Sequence, residues 1–213
     1  SGIMTFNLGG LFERGQADLL PFFNFHPWLY LFFVPAFAMR SWSEERRSGT
    51  IELLMTLPIT PLSAMVAKFL AAWLVLGLAL ILTFPMWLTI NYLGEPDNGV
   101  ILAAYLGSWL MAGAFLAIGI CMSALSKSQV VAFILAVTVS FLFVLSGSEA
   151  VLNSFKGWMP TVMIDVIASL SFLQHFDALA KGVIALKDVG YFLVVIVCWL
   201  FAGLTIIEEQ KAN

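Results

Sequence analysis

The run SEERRSGTIELLMTLPITP, residues 43–61, separates two apolar segments that are each long enough to cross a bilayer. Five charges (Glu44, Glu45, Arg46, Arg47 and Glu52) fall within nine residues of a chain in which only 11% of residues are charged. Charge of that density beside a membrane span requires water or a protein partner. Ser43 reads as an N-cap, with Glu44 and Glu45 in the first turn of a short helix, where negative charge meets the positive end of the helix dipole. Ser48 and Gly49 interrupt that helix. From Thr50 a second helical pattern begins, with Ile51, Leu54 and Met55 on one apolar face and Glu52 and Thr56 pointing elsewhere. Pro58 and Pro61 stop it. A helix of this kind either lies in the lipid headgroups or docks in a groove of a cytoplasmic protein.

Outward from this elbow, composition sets the environment. Hydrophobic residues make up 61% of the 213, against roughly 45–50% in an average soluble domain, and the mean hydropathy is +0.97. The length accommodates one membrane domain over residues 1–213 and no sizeable soluble domain besides. A net charge of -3 without a basic run argues against nucleic acid. Cys121 and Cys198 lie inside apolar runs as small hydrophobes without metal-ligand neighbours.

A span takes about 20 mostly apolar residues, and five windows qualify: 20–39, 62–91, 100–125, 130–148 and 190–207. Pro21, Pro27 and Pro35 predict a kinked or broken first span. Lys68 sits near one end of the second, able to snorkel. Arg40, Arg46, Arg47 and Lys68 flank the first connection and Lys127 lies in the third, whereas residues 93–99 hold Glu95 and Asp97 and no basic residue. By the positive-inside rule the 43–61 region and the tail, 208–213, are cytoplasmic. Residues 1–19 then fall on the extracytoplasmic side, which implies a further span before residue 1 and six in the intact protein. Residues 149–189, with helical patterns expected at 158–173 and 174–186, form a second extracytoplasmic segment.

The residues Glu45-Arg46-x-x-Gly49-Thr50-x-Glu52-x-Leu54-x-x-Leu57-Pro58 resemble the signature of ABC-2 type transporter permeases. Residues 25–40, FHPWLYLFFVPAFAMR, and 175–192, HFDALAKGVIALKDVGYF, are most similar to the gliding-motility-associated permease group, and more distantly to the permease of nitrous-oxide-reductase maturation. The resemblance implies an all-α polytopic bundle in the bacterial inner membrane, with five of six spans present here and short re-entrant extracytoplasmic helices. It implies that Glu45, Arg46, Gly49, Thr50, Ile51, Glu52, Leu54, Met55, Leu57 and Pro58 form the coupling helix that docks on cytoplasmic ABC ATPase subunits. It also implies a second permease subunit, identical or related, and an outer gate at His175 and Phe176.

The chemistry that is missing agrees with this. No G-x-x-x-x-G-K-[ST] run is present to cradle a nucleotide, so if ATP drives this protein it is hydrolysed on another chain; the resemblance then implies ATP and Mg on the partner ATPase, with no cofactor and no catalytic residue expected on this chain. The spans hold almost no mid-membrane charge, which disfavours ion-coupled transport. His26, beside Pro27, reads as structural. A membrane enzyme would require Asp165, His175 and Asp177 to converge. The expected function is an export-type permease subunit; the alternative is a mechanical subunit that passes ATPase work to a periplasmic partner without moving a solute. Gly107 with Met111, Gly113 with Ala117, and the Ala132, Ala136, Ser140 stripe read as helix-packing faces.

Overall fold

The computed structural model describes residues 19–50, 60–148, 151–153 and 161–212, and every regular element among them is an α-helix. A bilayer enforces this, because lipid offers no partner to a backbone N–H or C=O. The helices are α1 (Leu20–Asn24), α2 (His26–Ala38), α3 (Arg40–Ser48), α4 (Pro61–Ile81), α5 (Phe84–Leu93), α6 (Asn98–Leu125), α7 (Gln129–Leu145), α8 (Thr161–Ser169), α9 (Phe172–Ala180) and α10 (Leu186–Ala212).

Several boundaries differ from the sequence expectation, each for a local reason. The segment 20–39 is broken, as its prolines predict, into two helices that meet at Phe25, since the ring of Pro27 cannot follow an unbroken preceding turn. The segment 62–91 divides into α4 and α5 at residues 82–83, just ahead of Pro85 in the first turn of α5. Helix α6 begins two residues early, where Asp97 Oδ1 accepts the N–H groups of Gly99 (2.9 Å) and Val100 (3.4 Å) as a cap. Helix α9 occupies 172–180 rather than 174–186; it ends as Val183 N–H turns back to the Ala178 carbonyl at 3.1 Å. Helix α10 starts at Leu186 rather than 190 and runs through most of the expected tail.

Among the described residues, three segments are long and apolar enough to cross a membrane: Pro61–Leu93, Asn98–Leu125 and Leu186–Glu209. The pair Met163–Ser169 and Phe172–Ala180, bent by 57°, raises this to four if it counts as one span. Two expected spans are shorter than the sequence windows: α1 and α2 divide the first, and α7 has 17 residues, about 25 Å of helix against a hydrocarbon core of about 30 Å.

The chain forms two compact units. The first comprises the described parts of Ser1–Leu29, Leu78–Met111 and Phe141–Tyr191; the second, those of Tyr30–Gly77, Ala112–Ser140 and Phe192–Asn213. In the first, Phe23 meets Phe22, His26 and Tyr105 edge-on at ring distances of 5.1–5.3 Å. His26 is buried and satisfied, with Nδ1 2.9 Å from Ser108 Oγ. In the second, the C-terminal part of α6 is the core, and residues 111–124 of that helix are all buried. Over an 18-residue window α6 is 72% buried, against 17% for Pro61–Leu93, whose apolar side chains face outward.

The small-residue faces are spent on packing inside this chain. A side chain at Gly107 would strike Leu179, and one at Gly113 would strike Trp73 and Ile196. Ala132, Ala136 and Ser140 are all fully buried.

Candidate functional site

Helix α3 carries the elbow, and its start is the clearest departure from the sequence reading. Ser43 is not an N-cap: the helix already begins at Arg40, with only Met39 between it and the end of α2, and Ser43 is buried within it with its hydroxyl bonded back to the Met39 carbonyl. Glu44 and Glu45 therefore lie in its middle, away from the positive dipole end. The N-terminal N–H groups of α3 are capped from elsewhere. Ser123 Oγ, near the end of α6, accepts from Trp42 N–H at 2.9 Å and Ser43 N–H at 3.0 Å, and donates to the Met39 carbonyl at 2.9 Å. One hydroxyl thus uses its donor and both lone pairs on α3.

Two further contacts complete a clasp. Arg46 Nη1 donates to the carbonyl of Ala124, one of the last four of α6 and so without an intrahelical partner. Partial burial pulls the Arg46 guanidinium below its ordinary range. Lys68 of α4 donates to the Ser41 carbonyl (2.6 Å), pairs with Glu45 Oε1 (2.6 Å), and lies 4.0 Å from the centre of the Trp42 ring. Alone, a half-exposed ion pair contributes roughly 0–1 kcal/mol. Its effect here is geometric: three contacts from one ammonium hold α3 against α4, while Ser123 and Arg46 hold it against α6.

Of the residues expected to couple to an ATPase, Glu45 and Arg46 thus point into their own chain. Gly49 ends α3 with φ 73°, the left-handed conformation that a Cβ disfavours, and Thr50 Oγ1 sits 2.9 Å from Ser48 Oγ on the exposed surface. Ile51, Glu52, Leu54, Met55, Leu57 and Pro58 lie outside the described residues.

The second expected site, His175 and Phe176, is on α9, and both side chains are buried. The carboxylate that meets His175 is Asp188 at the start of α10, with Nδ1 to Oδ1 2.6 Å, rather than Asp177 or Asp165, which are both exposed. Nε2 lies 2.9 Å from the Ser169 carbonyl. A carbonyl only accepts, so Nε2 donates to Ser169 and Nδ1 is left to face the Asp188 carboxyl group. Tyr191 stacks on the imidazole at 3.9 Å and donates its hydroxyl to the Leu170 carbonyl. The cluster ties α8, α9 and α10 together, and no group of three metal-ligating side chains occurs among the described residues.

Ser123 and Asp188 were not singled out by the sequence. The only available signals were a hydroxyl in an otherwise apolar span and an acid at the start of another.

A family model described as "ABC-2 family transporter protein" matches residues 12–205. The chain belongs to the ABC-2 transporter family. Over 145 residues it is 32% identical to the inner membrane transport permease YhhJ of Escherichia coli K12, covering 66% of this chain and 36% of that protein, and equally to YhhJ of Shigella flexneri. The chain therefore spans about a third of the length of these curated relatives. ABC-2 membership and the apolar helices make it a multi-pass membrane protein.

Proposed function

We propose that this chain is the non-catalytic membrane subunit of an export-type, ATP-driven ABC-2 permease of the bacterial inner membrane, nearest the gliding-associated group. On this reading ATP and Mg are bound by separate cytoplasmic ATPase subunits, a second permease subunit completes the pathway, and 149–189 offers a surface for a periplasmic accessory protein. The observation that carries the proposal is the clasp on α3. A helix held by Ser123, Arg46 and Lys68 to two long helices is suited to pass displacement into the membrane, and the rest of the signature, from Thr50 to Pro58, follows directly from its Gly49 end.

Glu45 and Arg46 then act as positioning residues that fix the angle of the elbow, and contact with the ATPase falls to the segment from Thr50 to Pro58. The His175–Asp188 cluster supports a second reading, mechanical transmission to a periplasmic partner, because it links α9 to the start of α10. For both, the test is co-reconstitution with the partner ATPase. Leu54→Asp is expected to abolish stimulation of ATP hydrolysis by the permease while insertion and yield stay unchanged; stimulation at the wild-type level would falsify the coupling role. Retained stimulation with loss of periplasmic partner binding in His175 variants would favour the mechanical reading.

A further inference from the structure

We propose that a cleft in the second unit, between α2 and α4 and floored by α6, binds one anionic phospholipid, with the headgroup phosphate at Arg40 and the upper acyl chain along the apolar trough. The cleft has a volume of about 400 Å³, within the roughly 300–1,000 Å³ of ordinary ligand sites. Phe37 of α2 and Ala71, Ala72 and Val75 of α4 form its walls, and Leu116 and Ile120 of α6 its floor. The two alanines leave open the space that larger residues would fill. The seven-residue step from Lys68 to Val75 gives the trough a length of about 10 Å along α4.

Its polar end is formed by Arg40, Ser41 and Lys68. Lys68 is already neutralised by Glu45 at 2.6 Å, whereas Arg40 is exposed and forms no ion pair among the described residues. Among the described residues, one guanidinium without an ion-pair partner therefore stands at the head of an apolar groove, where a span meets the membrane surface. The occupant that matches carries a negative phosphate and a hydrocarbon chain, and the bilayer supplies it in place. Guanidinium geometry suits a phosphate with two parallel hydrogen bonds. The proposal needs only the membrane location and is independent of the permease reading.

The test reconstitutes the full chain in vesicles of equal parts phosphatidylglycerol and phosphatidylcholine, extracts it gently, and reads retained lipid by native mass spectrometry. The expected result is about fivefold enrichment of phosphatidylglycerol, the preference one basic side chain confers near an anionic surface. Arg40→Gln should bring the ratio to parity, and Ala72→Leu should lower retention of both lipids. Equal retention of the two lipids by the wild type, or unchanged enrichment in Arg40→Gln, would overturn the proposal. A photoreactive side chain at Val75 distinguishes occupants: crosslinking to lipid supports the site, and crosslinking to a second copy of the chain overturns it. Displacement of the lipid by millimolar inorganic phosphate would show a free-anion site and overturn it too.

Discussion

Ser123 is the residue on which the elbow depends. Its hydroxyl satisfies two backbone donors of α3 and bonds a third backbone group, and the contact is buried. Ser123→Ala removes all three partners at once and leaves the Trp42 and Ser43 N–H groups in an apolar surrounding, at a cost of about 1–3 kcal/mol. The expected outcome is a lower melting temperature in detergent together with faster proteolytic cleavage after Arg46 or Arg47. A variant that melts earlier but keeps wild-type cleavage there would separate Ser123 from the anchoring of α3. Nothing near residue 43 in the sequence advertises this cap, because the hydroxyl that accepts these N–H groups lies 80 residues away in the chain. Local capping rules pointed to Ser43, and the tertiary contact overrode them.

Between elements, two contacts have measurable weight. The His175–Asp188 pair closes α9 on α10, and removing one partner leaves a buried polar group uncompensated. Asp188→Leu is expected to destabilise by about 3–5 kcal/mol, and the double variant His175→Phe with Asp188→Leu to recover most of that, since well-packed apolar replacements of a buried pair are often neutral. Thermal unfolding of the three variants in detergent decides it; a double variant no better than the single would make the pair's charges irrelevant. The second contact is the crossing of α6 and α2 at Gly119, where an added Cβ would lie 2.5 Å from Ala38 Cβ. Gly119→Ala should therefore cost about 1–3 kcal/mol by overpacking. Adding Ala38→Gly should restore part of the loss, which the unfolding of the double variant measures as a non-additive gain. Helicity and approximate limits of these elements were legible from apolar windows and prolines. The broken first span was legible too, from its prolines; the break at residues 82–83 and the partner of His175 were not, because hydropathy averages over a turn and cannot register which carboxylate a ring meets.

At the scale of the whole molecule, the asymmetry of basic residues predicts which loops share a side of the membrane. With Cys198 replaced by alanine, Glu95→Cys should react with an impermeant maleimide on intact cells, whereas Lys127→Cys should react only after permeabilisation. The reverse pattern would invert the topology and place the elbow away from any cytoplasmic ATPase. By itself the sequence determined that this is an all-helical membrane protein with one hydrophilic elbow, because bilayer thickness and the cost of buried charge act on composition over every 20-residue window. Only the tertiary structure decided that Glu45 and Arg46 face their own chain, that Ser123 caps α3, and that Asp188 rather than Asp177 meets His175. Those pairings depend on which helix faces pack together, and distant side chains that satisfy one another leave no periodic trace along the chain.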